Sequence, residues 1–319
     1  TGLSLLAFLG AGYTHMSRDE IEDPVSGKHF EFGEVVKQGV RWLVAHQDAA
    51  GLVGPKCLKH MYNHAISAMA LAEAYGMTQS SVLKEPAQKA IDYLVAAKNP
   101  YKAWRYSSRC GENDTSVTGW AVQALSSAET AGLDFDRSAL VEARAYIDEV
   151  TDELGRCGYQ GKENAGAKVV IPGKDEQFAH HETLTALGMY LRMVVDRDIQ
   201  DPVLDRGAPN MLLDPPRWDK PECRDYYYWY YATLALFQYD GPDSPRVDRG
   251  GYWEAVWNPL LRNALVEHQH ARSSGCAEGS WDADDRWGFE GGRVYATALN
   301  ALSLEVYYRY AGVFADKGR

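Results

Sequence analysis

The sequence predicts an all-α protein built as an α/α toroid, a ring of about six inner helices wrapped by five to six outer ones. Three observations lead there. Two classes of helix alternate along the chain, strand periodicity is nearly absent, and the segments joining one class to the other resemble each other. β-Branched residues never alternate for more than a few positions, and Val169-Val170-Ile171 before Pro172 is the best strand candidate.

The inner class is rich in small residues and apolar on most faces, as a buried helix must be. It comprises 1–12, 61–75, 114–131, 180–195, 225–239 and 292–312. The outer class carries a polar face and belongs at a surface: 34–48, 84–98, 138–153, about 200–213 and 252–270. Asp114, followed by Thr115 and Ser116, reads as a helix N-cap. With six inner and five outer helices, the absent outer helix is expected before Thr1. The chain then reads as one domain over 1–319 that begins partway into a longer protein, whose further segments are expected partners.

Composition narrows the function classes. The 319 residues carry a formal charge of −11, from 33 basic and 44 acidic side chains, with no long basic run. That disfavours nucleic acid and anionic membrane as partners. The longest apolar stretch, Leu3 to Ala11, is far shorter than the roughly 20 residues a spanning helix needs. Aromatic residues are the unusual feature, with 20 Tyr and 9 Trp that cluster at Tyr226–Tyr231 and Tyr307–Tyr310. Tyr226, Trp229 and Tyr230 share a helical face by their spacing. They are expected either to line a cavity or to fill the centre of the ring. Inner-helix N-termini should converge on one mouth, where dipoles favour anionic groups. His60, Tyr62, His64, Asp114, Thr115, His181, Asp225, Tyr226, Arg293 and Tyr295 are expected there.

The connectors carry a resemblance. Gln47 to Gly51, Asn99 to Trp104, and Gln269 followed by Gly279-Ser280-Trp281 are similar to degenerate Gln-Trp repeats of the prenyltransferase and squalene-cyclase superfamily. Asp114-Thr115-Ser116-Val117-Thr118-Gly119-Trp120 and Tyr295-Ala296-Thr297-Ala298-Leu299 look like its inner-helix starts. The likeness covers nearly the whole chain and is closest to stand-alone bacterial domains carrying the repeat. It implies the terpenoid-cyclase toroid and leaves the chemistry open, since that fold serves several reactions.

Each branch of the superfamily implies its own residues. Class II terpene cyclases protonate substrate with an Asp-x-Asp-Asp motif directly before an inner helix. Here Asp282-Ala283-Asp284-Asp285 lies in a connector about seven residues ahead of Gly292, and Asn113 holds the corresponding place before Asp114. An amide cannot donate that proton. Prenyltransferases bind zinc through Asp-x-Cys and a His. Cys223-Arg224-Asp225 offers both ligand types in reversed order, so Cys223 and Asp225 are the metal candidates, with His64, His180 or His181 as a third ligand. The five cysteines, 57, 110, 157, 223 and 276, all fall just before inner helices. They suit disulfides in an oxidising compartment, thiolate metal binding, or plain tight connectors; pairing would favour an extracytoplasmic location. Cys110-Gly111-Glu112-Asn113 is similar to the thioester motif of complement-type toroids, but its Asn is one methylene short of the required Gln.

The expected function is a binding or interaction module whose aromatic-lined central cavity takes an apolar, isoprenoid-like chain or a peptide. One alternative is a zinc-dependent transferase or cyclase using Cys223 and Asp225. Another is a glycan-active lyase or hydrolase of the α/α-barrel type using His181, Glu182 and a Tyr.

Overall fold

The computed structural model describes residues 1–23, 26–164, 169–171, 174–176, 182–219, 221–246 and 251–309. It divides into two compact units, Thr1–Tyr146 and Ile147–Arg319. Among the described residues the fold is all-α apart from two short hairpins.

In the first unit, α1 (Gly2–Gly10), α3 (His60–Thr78) and α5 (Thr115–Ala131) form an inner row. Helices α2 (Phe32–Ala45) and α4 (Ser81–Ala97) pack against that row from outside, and α6 (Ser138–Glu149) begins here. Small side chains allow the inner helices to approach closely. Ala65, Ala68, Ala70, Ala72 and Ala74 of α3 are buried, and a Cβ on Gly76 would sit 3.0 Å from that of Ala131. Asp114 caps α5 by accepting the Val117 N–H at 2.8 Å, as its sequence context predicts. Strands β1 (Glu20–Glu22) and β2 (His29–Glu31) pair antiparallel and fully exposed.

The second unit repeats the plan. Inner helices α7 (Glu182–Asp196), α9 (Tyr226–Asp240) and α11 (Gly288–Leu304) pack in sequence order. Outer elements are α8 (Pro202–Met211) and a π-helical turn at Tyr252–Trp257 that continues into α10 (Asn258–Val266). A last turn, α12 (Val306–Arg309), packs on α9 and α11. Buried Arg192 ties α7 to its neighbours through Asp148 at 2.7 Å and Asp201 at 3.1 Å. Val169–Ile171 pairs with Lys174–Glu176 as an antiparallel hairpin, β3 and β4.

The connectors repeat in hydrogen bonds as well as in sequence. The N–H of Asp48, Asn99, Asp152 and His270 donates to the carbonyl of Leu52, Ala103, Arg156 and Ser280, at 2.8–2.9 Å. The next residue then anchors the connector to its inner helix. Val53 donates its N–H to His64 Nδ1 (3.1 Å), Trp104 to Thr118 Oγ1 (3.3 Å), Cys157 to Thr185 Oγ1 (3.2 Å), and Trp281 to Thr297 Oγ1 (3.3 Å). Trp104 and Trp281 also donate their indole N–H to Leu94 and Leu265 carbonyls of the preceding outer helices, each at 2.8 Å. Gln47 and Gln269 donate to the Gly51 and Gly279 carbonyls.

Three details differ from the sequence expectation. The β1–β2 hairpin follows no recognised pattern. The 252–270 helix starts as a π turn, because the Asp240 carboxylate draws in the N–H groups of Tyr252 (2.7 Å) and Trp253 (3.1 Å) and Pro259 supplies no donor. Helix α11 begins at Gly288 and breaks at Gly292, whose φ of 64° only glycine adopts freely, so the regular helix starts where the sequence places it. No helix among the described residues is long and apolar enough to cross a membrane.

Candidate functional site

The densest chemistry lies at the N-terminus of α9, inside the second unit. The run Tyr226–Asp240 forms a helix buried on nearly every face, so its first turn is buried too and its N–H groups need internal acceptors. Two carboxyls supply them. Asp225 is the N-cap and accepts the Tyr228 N–H at 2.9 Å. Asp285 arrives from the connector before α11 and accepts the Tyr226 N–H at 3.2 Å through Oδ2. The main chains join beside them, Arg286 N–H donating to the Arg224 carbonyl at 3.2 Å.

Burial governs the electrostatics. It pushes Asp225 up to about 6, while the Tyr228 N–H and the positive charge of Arg286 pull the other way. Burial and the neighbouring Asp225 push Asp285 up to about 7. Tyr295 donates its hydroxyl to Asp285 Oδ2 at 3.4 Å, the Trp287 main-chain N–H also favours the charged form of this carboxyl, and Oδ1 makes no full hydrogen bond. The Trp287 indole N–H favours the charged form of Asp225 yet falls short of a full hydrogen bond. Burial first, then Asp284 and Asp285, push the Tyr226 phenol far above its ordinary range.

Several charged side chains pair off around this centre. Arg224 pairs with Asp284, and its guanidinium lies 4.3 Å above the Trp218 ring. Tyr226 donates its hydroxyl to Asp284 at 3.1 Å. Arg293 pairs with Asp282, which His270 also contacts at 3.1 Å, and donates to Ser280 Oγ at 3.0 Å. Trp218 stacks on His268 with centroids 4.3 Å apart and adjoins Tyr226 and Trp229. Tyr227 meets Tyr231 and Trp287 edge to face.

Asp225, Tyr226, Arg293 and Tyr295 thus gather in one neighbourhood, with Trp229 in ring contact with Tyr226 and Trp218. Tyr226, Trp229 and Tyr230 are all buried core rings. His64 and Asp114 serve the other unit's frame. Both ring nitrogens of His64 are committed, Nδ1 to the Val53 N–H and Nε2 to the Ala90 carbonyl at 3.0 Å, so Nε2 carries the proton. Burial lowers His64 to about 4. No nitrogen is left for a ligand, which corrects its expected place in a cavity wall. His180 and His181 lie outside the described residues. Glu182 opens α7 half-buried.

Among the described residues no group of three or more His, Cys, Asp or Glu is arranged to hold a metal, and Asp225 Oδ1 is engaged as a cap. All five cysteines are free thiols, Cys157 buried and Cys223 half-buried. Asn113 accepts the Ala103 N–H at 3.0 Å and an Asn99 amide N–H at 3.1 Å, a purely structural use of the side chain that ends the thioester-like motif. Sequence reasoning missed Asp285, Trp218 and Trp287 as site residues. The available signal was an Asp-Asp pair flanked by Trp281 and Trp287, since carboxyls between large apolar residues become buried.

The described residues define an all-α protein, and within each unit a row of buried helices is packed by helices from outside. No family model and no curated protein matches the chain. Among solved structures, one described as a protein from Actinoplanes is similar over 86% of this chain and 97% of its own, with 13% identity and a TM-score of 0.36.

Proposed function

We propose that the chain is a single α/α-toroid domain of the prenyltransferase and squalene-cyclase kind, and that it binds an apolar, isoprenoid-like chain beside the aromatic N-terminal half of α9. Support for the toroid comes from the inner-row packing within each unit and from the connector anchors repeated four times. The observation that carries the binding reading is the Asp285 carboxyl. It is 8% exposed, accepts from Tyr226 and Tyr295 through one oxygen, and makes no full hydrogen bond through the other. A buried polar atom of this kind is satisfied by an ordered water, an ion or a ligand's hydrogen-bonding group, and this reading assigns it the last.

Titration with geranylgeraniol, followed by tryptophan fluorescence, tests this. Saturable quenching at one molecule per chain is expected, with Asp285→Ala weakening it about tenfold for one lost hydrogen bond. A flat titration would sink the reading.

The same carboxyl favours a second reading, an enzyme. Held at about 7, Asp285 is about half protonated at neutral pH, and a buried acid of this kind has a proton to offer a polyene double bond. The proton would pass from Asp285 to an alkene carbon, leaving a carboxylate and a carbocation; the cyclised cation then loses a proton from a neighbouring carbon to give the neutral product, and that proton restores the acid. Cyclised product from a polyene incubated with the wild type, and none from Asp285→Asn that still binds it, is the result this requires.

A further inference from the structure

The first unit carries opposite charge at the two ends of α2. At the N-terminal end stands the β1–β2 hairpin, whose six strand residues are all exposed and whose last residue, Glu31, is the N-cap of α2. The register pairs Ile21 with Phe30, 53% and 46% exposed on one face, and places Glu20, Glu22, His29 and Glu31 on the other. Between positions 18 and 31, five carboxylates outnumber Arg18 and Lys28.

At its other end α2 leads into the connector that Val53 fastens to His64 of α3. There Lys56, Leu58 and Lys59 are exposed, and the next connector meets this one. Met61 donates its N–H to the Tyr106 carbonyl at 3.1 Å, and the Tyr62 and Tyr106 rings lie 5.9 Å apart. That second connector adds Lys102, Arg105 and Arg109, while its acids Glu112 and buried Asp114 both lie beside Arg105. Asp48, earlier in the first connector, serves the turn at Ala50 and Leu52. Leu58 is 89% and Tyr101 86% exposed, and Tyr101 holds a φ of 58°, a left-handed backbone that a bulky side chain rarely adopts. Large apolar groups held in water and rimmed by charge mark an interaction surface.

The two surfaces do not answer each other within one copy. The 14 residues of α2 span about 21 Å, more than twice the Debye length of about 8 Å at physiological salt. We infer that the chain associates head to tail with a second copy of itself, the acidic hairpin of one copy docking on the basic connector face of the next. Ile21 and Phe30 then cover Leu58 and Tyr101, and the carboxylates on the reverse of so thin a hairpin stay within a Debye length of the cations. Charge complementarity favours this pairing over hairpin against hairpin, where like charges oppose each other. Two different surfaces meet, so the contact is heterologous and each end of the pair still presents one of them.

Sedimentation equilibrium of the purified chain in about 50 mM and about 500 mM salt tests this. The weight-average mass is expected to rise with protein concentration at the lower salt, and the apparent Kd to rise at least about tenfold at the higher. Glu20→Lys with Glu22→Lys, and separately Lys56→Glu with Lys59→Glu, alter exposed residues alone. Each of these two variants by itself should stay monomeric where the wild type associates. Their equimolar mixture should associate again as a dimer, because each supplies the intact surface that the other has lost. A wild type that is monomeric throughout, or whose association is unmoved by salt, overturns the inference. So does either variant associating alone, and so does a mixture that stays monomeric.

Discussion

Asp285 accepts the main-chain N–H of Tyr226 at 3.2 Å across a gap of 59 residues. The bond fastens the connector before α11 to the first turn of α9 and places two carboxyls, Asp225 and Asp285, on one buried helix end. A single helix end rarely needs both, and the repulsion between them helps hold Asp285 in its neutral form.

That neutrality has a sign in a pH profile. The folded value of about 7 stands above the ordinary 3.8, so the folded chain holds the extra proton between those limits. The contribution to stability is complete below pH 3.8 and is lost as pH rises through 7. Asp285→Asn should gain in unfolding free energy relative to wild type between pH 4 and pH 8, by a difference of order 2–4 kcal/mol in urea denaturation. A constant difference across that range would show that the carboxyl is not buried as described.

His64 gives the opposite slope. Its folded value of about 4 lies below the ordinary 6.5, so its contribution is complete above pH 6.5 and is lost as pH falls towards 4. Roughly 3 kcal/mol is at stake over that window. Replacing it with Phe keeps the volume, leaves the Val53 N–H without its acceptor at about 1–3 kcal/mol, and should flatten the acid limb of a denaturation series.

Two glycines separate backbone strain from crowding. Gly51 has a φ of 97° and a Cβ there would lie 2.1 Å from the Lys89 carbonyl oxygen, whereas Gly54 has a φ of 87° and open space around it. Gly54→Ala should cost about 1 kcal/mol for its backbone conformation alone. Gly51→Ala should cost clearly more in chemical denaturation, and equal costs would count against the close approach of this connector to α4.

Trp104→Phe and Trp281→Phe each remove one indole hydrogen bond to an outer-helix carbonyl. Losses of about 1–2 kcal/mol are expected for both. The two sites lie in different units, so the double variant should lose the sum to within about 0.5 kcal/mol. Urea unfolding of the four proteins provides the check.

Most of the helical fold was legible because it rests on periodicity. All-round apolar stretches such as 61–75 and 114–131 became inner helices, and one-sided stretches such as 84–98 became outer ones. The connector resemblance also reached into geometry, since the marked residues Gln47, Asn99, Trp104, Gln269 and Trp281 all make the repeated bonds. The exposed β1–β2 hairpin was illegible because nothing in it is buried to impose a pattern. Spacing within one helix put Asp225, Tyr226 and Trp229 together, and they lie together at the start of α9. The docking of Asp285 depends on a long-range approach that local spacing does not encode. His64 was misplaced for a similar reason: an inner-helix position alone does not tell that two backbone partners take both of its nitrogens.

The anchor bonds span 14 residues from Trp104 to Thr118, 28 from Cys157 to Thr185 and 16 from Trp281 to Thr297. Each closes a loop onto the helix it feeds, and the residues inside the loop add fastenings of their own: Asn113 and Asp114 in the first, Asp285 and Arg286 in the last. The loop carrying Asp282 to Asp285 is thus moored at Trp281, at Tyr226 and at Arg224, so the polar residues of the connector are also struts of the helical core, and a change made to one is felt by the other.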